Sequence, residues 1–166
     1  MTARDPVTII LLGEPVAMAR TRISRGGILF TPAPQRNAMA ALRMAAQEAM
    51  QHAAAEPFDE PVALTLLAEM RIPSTWSKKK QAAALLGEIL PAKKPDLSNT
   101  VKLVEDALNT VAFRDDAQIV SIWARKVYGN QPKLVCTVSP VLLPAAPRPR
   151  ANAAHRPGEL PLVVPA

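Results

Sequence analysis

Four segments of the chain have the alternation or composition of β-strands. Residues 62–72 alternate most clearly, with apolar side chains on one face and Thr, Glu and Arg on the other, which predicts a half-buried strand. Residues 7–13 are an apolar run of strand length. Residues 118–128 are rich in β-branched and aromatic residues, and residues 133–139 pair back after a Gly129-Asn130 turn.

Three further segments are predicted to be helical. Residues 35–55 are rich in Ala, Met, Gln and Glu without Pro or Gly, and residues 78–86 follow Ser77, a suitable N-cap. A third helix is expected near Leu97, because one stripe of its surface is apolar: Leu97, Val101, Val104, Leu108 and Val111. The opposite, polar face carries Ser98, Asn99, Lys102, Glu105, Asp106 and Asn109. That face is either solvated or functional.

These elements predict a mixed α/β domain, in which helices pack on a small mixed β-sheet, over residues 1–139. Gly26-Gly27 predicts a hairpin turn between the first strand and the first helix. Residues 140–166 contain seven of the 17 prolines and several arginines, so a proline-rich basic tail, disordered or extended, is expected. The tail is either a plain unstructured end or an additional site for phosphates or a partner.

The chain is basic, with a formal net charge of +6 and an isoelectric point near 9.9. This charge favours a polyanionic partner, although it does not separate nucleic acid from a membrane surface. No apolar stretch reaches the roughly 20 residues that span a bilayer, so a cytoplasmic protein is expected. Cys136 shares a strand face with Leu134 and Val138 and is predicted to be a core residue. His52 and His155 lie far apart in the sequence, so no zinc site is expected.

Acidic residues concentrate in one stretch of this basic chain, residues 94–118: Asp96, Glu105, Asp106, Asp115 and Asp116. Neighbouring carboxylates repel one another, and a divalent cation such as Mg²⁺ relieves that repulsion. Each residue also has an ordinary interpretation. Asp96 is suited to cap the helix that follows it, and Asp115-Asp116 is typical of a turn. Lys102 is spaced to form a helix ion pair with Glu105 or Asp106, worth about 0.2–0.5 kcal/mol.

The stretch KPDLSNTVKLVEDALN, followed by FRDDAQIV, resembles the signature of the RusA-type endodeoxyribonucleases, the Holliday-junction resolvases of bacteria and their phages. Residues 12–22 are similar to the family's N-terminal Gly-x-Pro and basic stretch, and residues 73–80 to the segment ahead of its central motif. The resemblance covers about residues 7–138. It implies a RusA-like fold and a homodimeric, Mg²⁺-dependent enzyme, for which Mn²⁺ can substitute, that cuts four-way DNA junctions by paired symmetric nicks in recombination and repair.

The resemblance also implies roles for individual residues. Asp96 and Asp116 match metal-binding aspartates, and Lys102 matches the catalytic lysine. Asp115 matches the adjacent acidic position and is expected to join the two aspartates as a metal ligand. The chain departs from the pattern at Ser98, which stands where the family has a second aspartate. Glu105 lies about 20° around the helix from Ser98 and two turns along, so we expect it to compensate as a metal ligand.

Basic and aromatic residues outside the acidic stretch are expected to contact the DNA backbone or bases. The candidates are Arg20, Arg22, Arg25, Trp76, Lys78, Lys79, Lys80, Lys93 and Lys94, with Arg114, Arg125 and Lys126 as further basic residues. Trp123 is predicted to lie in the core. Two alternatives to a nuclease stay open: a branched-DNA-binding protein that has lost cleavage through Ser98, and an unrelated basic interaction protein whose acidic residues are only caps and turns.

Overall fold

The computed structural model describes residues 4–19, 22–23, 26–27 and 29–141, with backbone only for Arg22, Leu29 and Phe30. The predicted DNA contacts of Arg20, Arg25 and the Arg22 side chain, and the tail beyond residue 141, lie outside this description. Within it, no helix combines the length and apolar composition that crossing a membrane requires.

Six strands and three helices in the described part of the chain follow the predicted order. They are β1 (Val7–Leu12), β2 (Arg22–Ile23), β3 (Leu29–Phe30), α1 (Ala33–His52), β4 (Val62–Arg71), α2 (Lys78–Leu85), α3 (Leu97–Leu108), β5 (Ile119–Gly129) and β6 (Lys133–Pro140), with a 3₁₀ turn at Asp116–Gln118. The main sheet has the order β1-β6-β4-β5. β4 and β5 are parallel while the other pairs are antiparallel, and β2 and β3 form a separate hairpin. The mixed α/β fold is therefore confirmed.

One face of the sheet packs against α1 and α3 to form the core. The alternation of β4 is confirmed, because Val62, Leu64, Leu66 and Ala68 are all buried. Cys136 is also fully buried, and burial raises the pKa of its thiol to about 12, so it is a core residue as predicted. The helix-bearing crossover between β4 and β5 carries α2 and α3, as parallel strand pairs require.

The first helix ends three residues earlier than its composition predicts. Ala54 adopts a left-handed conformation with φ 47°, and the amide of Ala55 donates to the carbonyl of Met50 at 2.9 Å. The amide of Ala54 donates to the carbonyl of Gln51 at 3.0 Å, which completes a Schellman termination. Glycine normally marks this position, so an alanine run gives no signal that the helix stops.

The face of the sheet opposite the helices is open. The strand register aligns three rows across it: Thr8, Thr137, Thr65 and Trp123; Ile10, Val135, Leu67 and Arg125; Leu12, Lys133, Glu69 and Val127. None of these side chains is buried by the part of the chain that the structure describes. Trp123 is 55% exposed, so the prediction that it lies in the core is wrong. β5 is an edge strand, and its alternation places Trp123 on the uncovered side. We call these twelve residues the open face.

Candidate active site

Asp96 lies at the N-cap position of α3, but its side chain does not cap the helix. Its carboxylate instead accepts a hydrogen bond from the side-chain amide of Asn99, with Oδ2 and Nδ2 separated by 3.2 Å. The helix start is fixed through the Asp96 backbone, whose carbonyl accepts from both the amide and the hydroxyl of Thr100, at 3.0 and 2.9 Å. The Asp96 side chain therefore does not have the capping role that its position suggests, and its carboxylate is exposed.

Thr100 helps to fix the start of the helix, a role that the apolar stripe does not predict. Its side chain is fully buried under Asp96, while Leu97 and Val101, which were placed in the stripe, are only partly buried. A threonine hydroxyl that bonds the carbonyl four residues earlier is a known helix pattern, and the Asp-x-x-x-Thr spacing is its only sequence signal.

Asp115 and Asp116 lie in the turn that leads into β5, and the side chain of Asp115 caps this turn. The Asp115 carboxylate accepts from the amide of Ala117 at 2.8 Å, and the Gln118 side chain accepts from the Asp115 amide at 2.9 Å. This reciprocal arrangement is a capping box, for which Asp-x-x-Gln is the sequence signal. Gln118 also donates to the carbonyls of Phe58 and Glu60, both at 3.1 Å, and so ties the turn to the loop before β4.

Glu105 on the polar face of α3 interacts electrostatically with the turn that carries Asp116. Partial burial raises the pKa of Glu105, and the negative charges of Asp116 and Asp106 raise it further, while the Lys102 ammonium opposes the shift. The negative charge of Asp116 therefore influences Glu105 from a different element of the fold. The two residues are 11 positions apart in the sequence and belong to different elements.

Lys102 is exposed on the same face of α3. Its Nζ lies 3.9 Å from Oδ1 of Asp106, four residues later, which is the ordinary ion pair considered for it. At 59% side-chain exposure such a pair contributes little to stability, about 0.3–0.5 kcal/mol at most. The ammonium group remains accessible from solvent, beside the Glu105 carboxylate.

The geometry changes how Glu105 can make up for Ser98. The helix rises about 1.5 Å per residue, so the Cα atoms of Ser98 and Glu105 are about 10 Å apart along its axis. Glu105 therefore lies toward the other end of the polar face and does not occupy the Ser98 position beside Asp96.

The carboxylates suit a hard divalent cation, which prefers oxygen ligands and would offset the negative charge around Glu105. Within the described residues, no three Asp, Glu, His or Cys side chains are arranged to hold a metal together. Mg²⁺ commonly binds through one or two carboxylates, with water and substrate phosphates completing its octahedral coordination. Glu105 and Asp116 are the two carboxylates that could supply that mode of binding, whereas Asp96 lies about 13 Å from Glu105 along the helix axis.

The three predicted lysines of α2 form its exposed first turn: Lys78, Lys79 and Lys80. Positive charge at a helix N-terminus opposes the helix dipole, at a cost of about 0.3–1 kcal/mol each. Ser77 caps this turn as predicted, accepting from the Lys80 amide at 3.4 Å. Helix stability does not account for these lysines, whereas a phosphate ligand would.

Trp76 is packed beside these lysines. Its ring makes an edge-to-face contact with Tyr128, with centroids 5.3 Å apart, and the Lys80 ammonium lies 4.0 Å above its ring centroid. Gln81 donates to the Trp76 carbonyl at 2.7 Å. One face of the indole is therefore covered by a cation, and base stacking on that face would require Lys80 to move.

Lys93 and Lys94 are exposed in the loop that leads to Asp96. Lys94 and Asp96 line an open cavity of about 580 Å³ together with Asn99 and residues 15–19. The wall formed by residues 15–19 is attached to α3, because the amide of Met18 donates to the carbonyl of Asn99 at 2.9 Å. These lysines thus flank the acidic residues.

The further basic candidates lie in different parts of the structure. Arg114 is exposed next to Asp115, while Arg125 lies on the open face, away from α3. Lys126 is not free for a phosphate, because its ammonium donates to two backbone carbonyls of the loop before Asp96. Of the described basic candidates, the α2 lysines, Lys93, Lys94 and Arg114 remain available for DNA.

A mixed α/β domain that carries carboxylates on a helix and a turn, together with exposed lysines, has the features of a protein that acts on a polyanion. The family model of endodeoxyribonuclease RusA matches residues 13–139. The chain is also 33% identical over 133 residues to the uncharacterized protein YqaN of Bacillus subtilis (strain 168), covering 78% of this chain and 93% of YqaN. The chain therefore belongs to the RusA endodeoxyribonuclease family.

Proposed function

We propose that this protein is a structure-selective endodeoxyribonuclease that resolves Holliday junctions by paired symmetric nicks, with Mg²⁺ or Mn²⁺ as its cofactor, in the recombination and repair of a bacterium or its prophage. Family membership supports the endonuclease role. The observation that carries the proposal at the level of residues is the exposed Asp96 carboxylate, which accepts a hydrogen bond from Asn99 and lines an open cavity with Lys94, because all three belong to the family signature.

In this proposal Asp116 and Glu105 hold a cation near the end of α3, and Asp96 supplies a separate carboxylate at the start of the helix. When bound, Mg²⁺ lowers the pKa of the attacking water and stabilises negative charge on the phosphate oxygens. The exposed Lys102 ammonium contributes positive charge toward the phosphate or the leaving oxygen. The Asp115 cap holds the turn so that Asp116 is presented beside α3.

Branched DNA is the proposed partner, gripped through its phosphates by the α2 lysines, Lys93 and Lys94. Trp76 would contribute the face of its ring that Lys80 leaves free. A homodimer is proposed because two symmetric cuts need two active sites. The open face, with Ile10 54%, Leu12 62% and Trp123 55% exposed, is the surface on which we place the second copy. It lies opposite the helices, so pairing through it leaves the acidic residues of both copies accessible.

Ser98 favours one alternative, a protein of the same fold that binds branched DNA without cutting it. Losing one family carboxylate weakens the site for a cation, whereas the phosphate-binding lysines are unaffected. Incubation of the wild-type protein with a labelled four-way junction, in Mg²⁺, Mn²⁺ and EDTA, separates the two functions. Paired nicks that require a divalent cation support the nuclease. Tight binding without nicking in either metal supports the binding protein.

A further inference from the structure

The side chain of Lys126 hydrogen-bonds the peptide segment that leads into Asp96. The lysine lies on β5, on the helix-bearing side of the sheet, where the register pairs it with the buried Ala68 of β4. Its Nζ donates to the carbonyl of Lys93 at 2.8 Å and to that of Pro95 at 2.9 Å. The Pro95 carbonyl belongs to the peptide unit that ends in the Asp96 nitrogen, so the lysine fixes the peptide plane immediately before the aspartate.

The Asp96 residue is therefore held from both sides. Lys126 holds the peptide before it, and the buried Thr100 holds its own carbonyl through two hydrogen bonds. Asn99 restrains the carboxylate itself. Side chains that hold a reacting group within about 0.5 Å of its productive geometry are a general requirement of catalytic sites.

A lysine is well suited to this purpose, because three donors on one atom can bond two carbonyls of a single loop. Lys126 is partly exposed, and both of these partners are neutral backbone carbonyls, so the contacts fix the loop without forming an ion pair.

We propose that Lys126 is a positioning residue that orients Asp96 for cleavage, and that it is not a DNA contact. The inference rests on the proposed nuclease function and deepens it, because it assigns a role to Lys126, a residue outside the acidic signature. The chain offers a matched control in Arg4, whose Nη1 bonds two loop carbonyls in the same way, those of Glu56 and Pro57 at 3.4 and 3.3 Å, in a different loop.

The test compares Lys126→Met, Lys126→Arg and Arg4→Met with the wild type, after thermal unfolding has established that each variant is folded. Junction affinity in Ca²⁺ and single-turnover cleavage in Mg²⁺ are measured separately. We expect Lys126→Met to bind the junction within about twofold of the wild type and to cleave about 10- to 100-fold more slowly. Lys126→Arg should recover most of the rate, and Arg4→Met should retain all of it.

A second readout does not depend on cleavage. The backbone amide signal of Asp96, followed by ¹⁵N NMR during a Mg²⁺ titration, should be displaced in Lys126→Met, and the Mg²⁺ concentration at its midpoint should rise, with neither change in Arg4→Met. An unchanged amide signal and titration would overturn the positioning role, as would a loss of junction affinity at an unchanged cleavage rate. If the wild type binds junctions without cutting them, the nuclease proposal fails, while the NMR result still decides whether Lys126 orients Asp96.

Discussion

Glu105 and Asp116 belong to different elements of the fold, yet their carboxylates share one electrostatic environment. Partial burial raises the pKa of Glu105, and the charge of Asp116 raises it further. The charge of Asp116 thus influences Glu105 although one residue lies on α3 and the other in the turn before β5. The Lys102 ammonium opposes the shift. Asp116 is a position of the family signature and Glu105 is not, and residues 106–115 separate them in the chain.

Glu105→Gln should stabilise the metal-free protein at neutral pH. Because folding raises the pKa of Glu105, its stabilising contribution is complete below the ordinary carboxyl pKa and is lost as pH rises through the raised value. The unfolding free energy of the variant, relative to the wild type, should therefore increase between about pH 3 and about pH 7. Urea unfolding in EDTA measures this difference, and a difference that falls with pH would show that Glu105 gains stability from ionisation.

Adding Mg²⁺ to the same comparison tests Glu105 as a ligand. A cation that binds only the folded state stabilises it in proportion to the logarithm of its concentration. The wild type should gain stability with Mg²⁺ and the Gln variant should gain less. Equal gains in both proteins would remove Glu105 from the metal site.

Ser98→Asp should strengthen metal binding, because it restores the carboxylate that the family places two residues after Asp96. Affinity for hard cations rises with the number of charged oxygen ligands, so the Mg²⁺ concentration for half-maximal junction cleavage should fall by about tenfold. Ser98→Asn is the control of similar shape without the charge. If the Asp and Asn variants need the same Mg²⁺ concentration, position 98 does not face the cation.

Replacing Lys78, Lys79 and Lys80 with Gln should weaken junction binding and make it less dependent on salt. Each phosphate contact contributes about 0.9 to the slope of log affinity against log salt, so the slope should become shallower by about 2 to 3. Fluorescence anisotropy with a labelled junction at several NaCl concentrations measures it. Arg4→Gln, a basic residue away from α2, should leave the slope unchanged. An unaltered slope in the triple variant would mean that α2 does not contact DNA.

Trp123→Thr should dissociate the proposed homodimer. A large aromatic side chain that becomes buried in an interface commonly contributes about 2 kcal/mol or more, so the dimer dissociation constant should rise by about 30-fold or more. Sedimentation equilibrium measures the change, and Leu86→Thr, at an apolar position 75% exposed on the α2 side, is the control. A monomeric wild type, or equal association of both variants, would contradict dimerisation through the open face.

Local patterns predicted most of the fold, because each element has its own periodicity. The local sequence of one segment was enough to predict each of three features: the alternation of β4, the Ser77 cap and the burial of Cys136. Trp123 was misplaced because alternation cannot tell which of two sheet faces a helix will cover. The end of α1 just before Ala54 is not predicted, because a left-handed alanine has no distinctive sequence signal.

The candidate site was predictable in its residues more than in its contacts. The signature named Asp96, Lys102 and Asp116, and the Asp-x-x-Gln spacing signals the capping box of Asp115, but the contacts of Lys126 depend on which strand lies beside which loop. Lys126 was expected to contact DNA because a lysine in a basic protein looks like a phosphate ligand. Only the parallel pairing of β4 with β5 brings it under the loop that precedes Asp96.

Cleavage of a synthetic four-way junction by wild type, Asp116→Asn and Asp115→Asn is the most direct test of the proposed nuclease. Asn can keep the Asp115 cap through its side-chain oxygen, so this variant changes charge with little change in the turn. We predict paired nicks by the wild type in Mg²⁺, a loss of about 100-fold or more in Asp116→Asn with unchanged junction binding, and most of the activity in Asp115→Asn. Wild-type cleavage rates in Asp116→Asn, or a wild type that binds junctions without nicking them in Mg²⁺ or Mn²⁺, would contradict it.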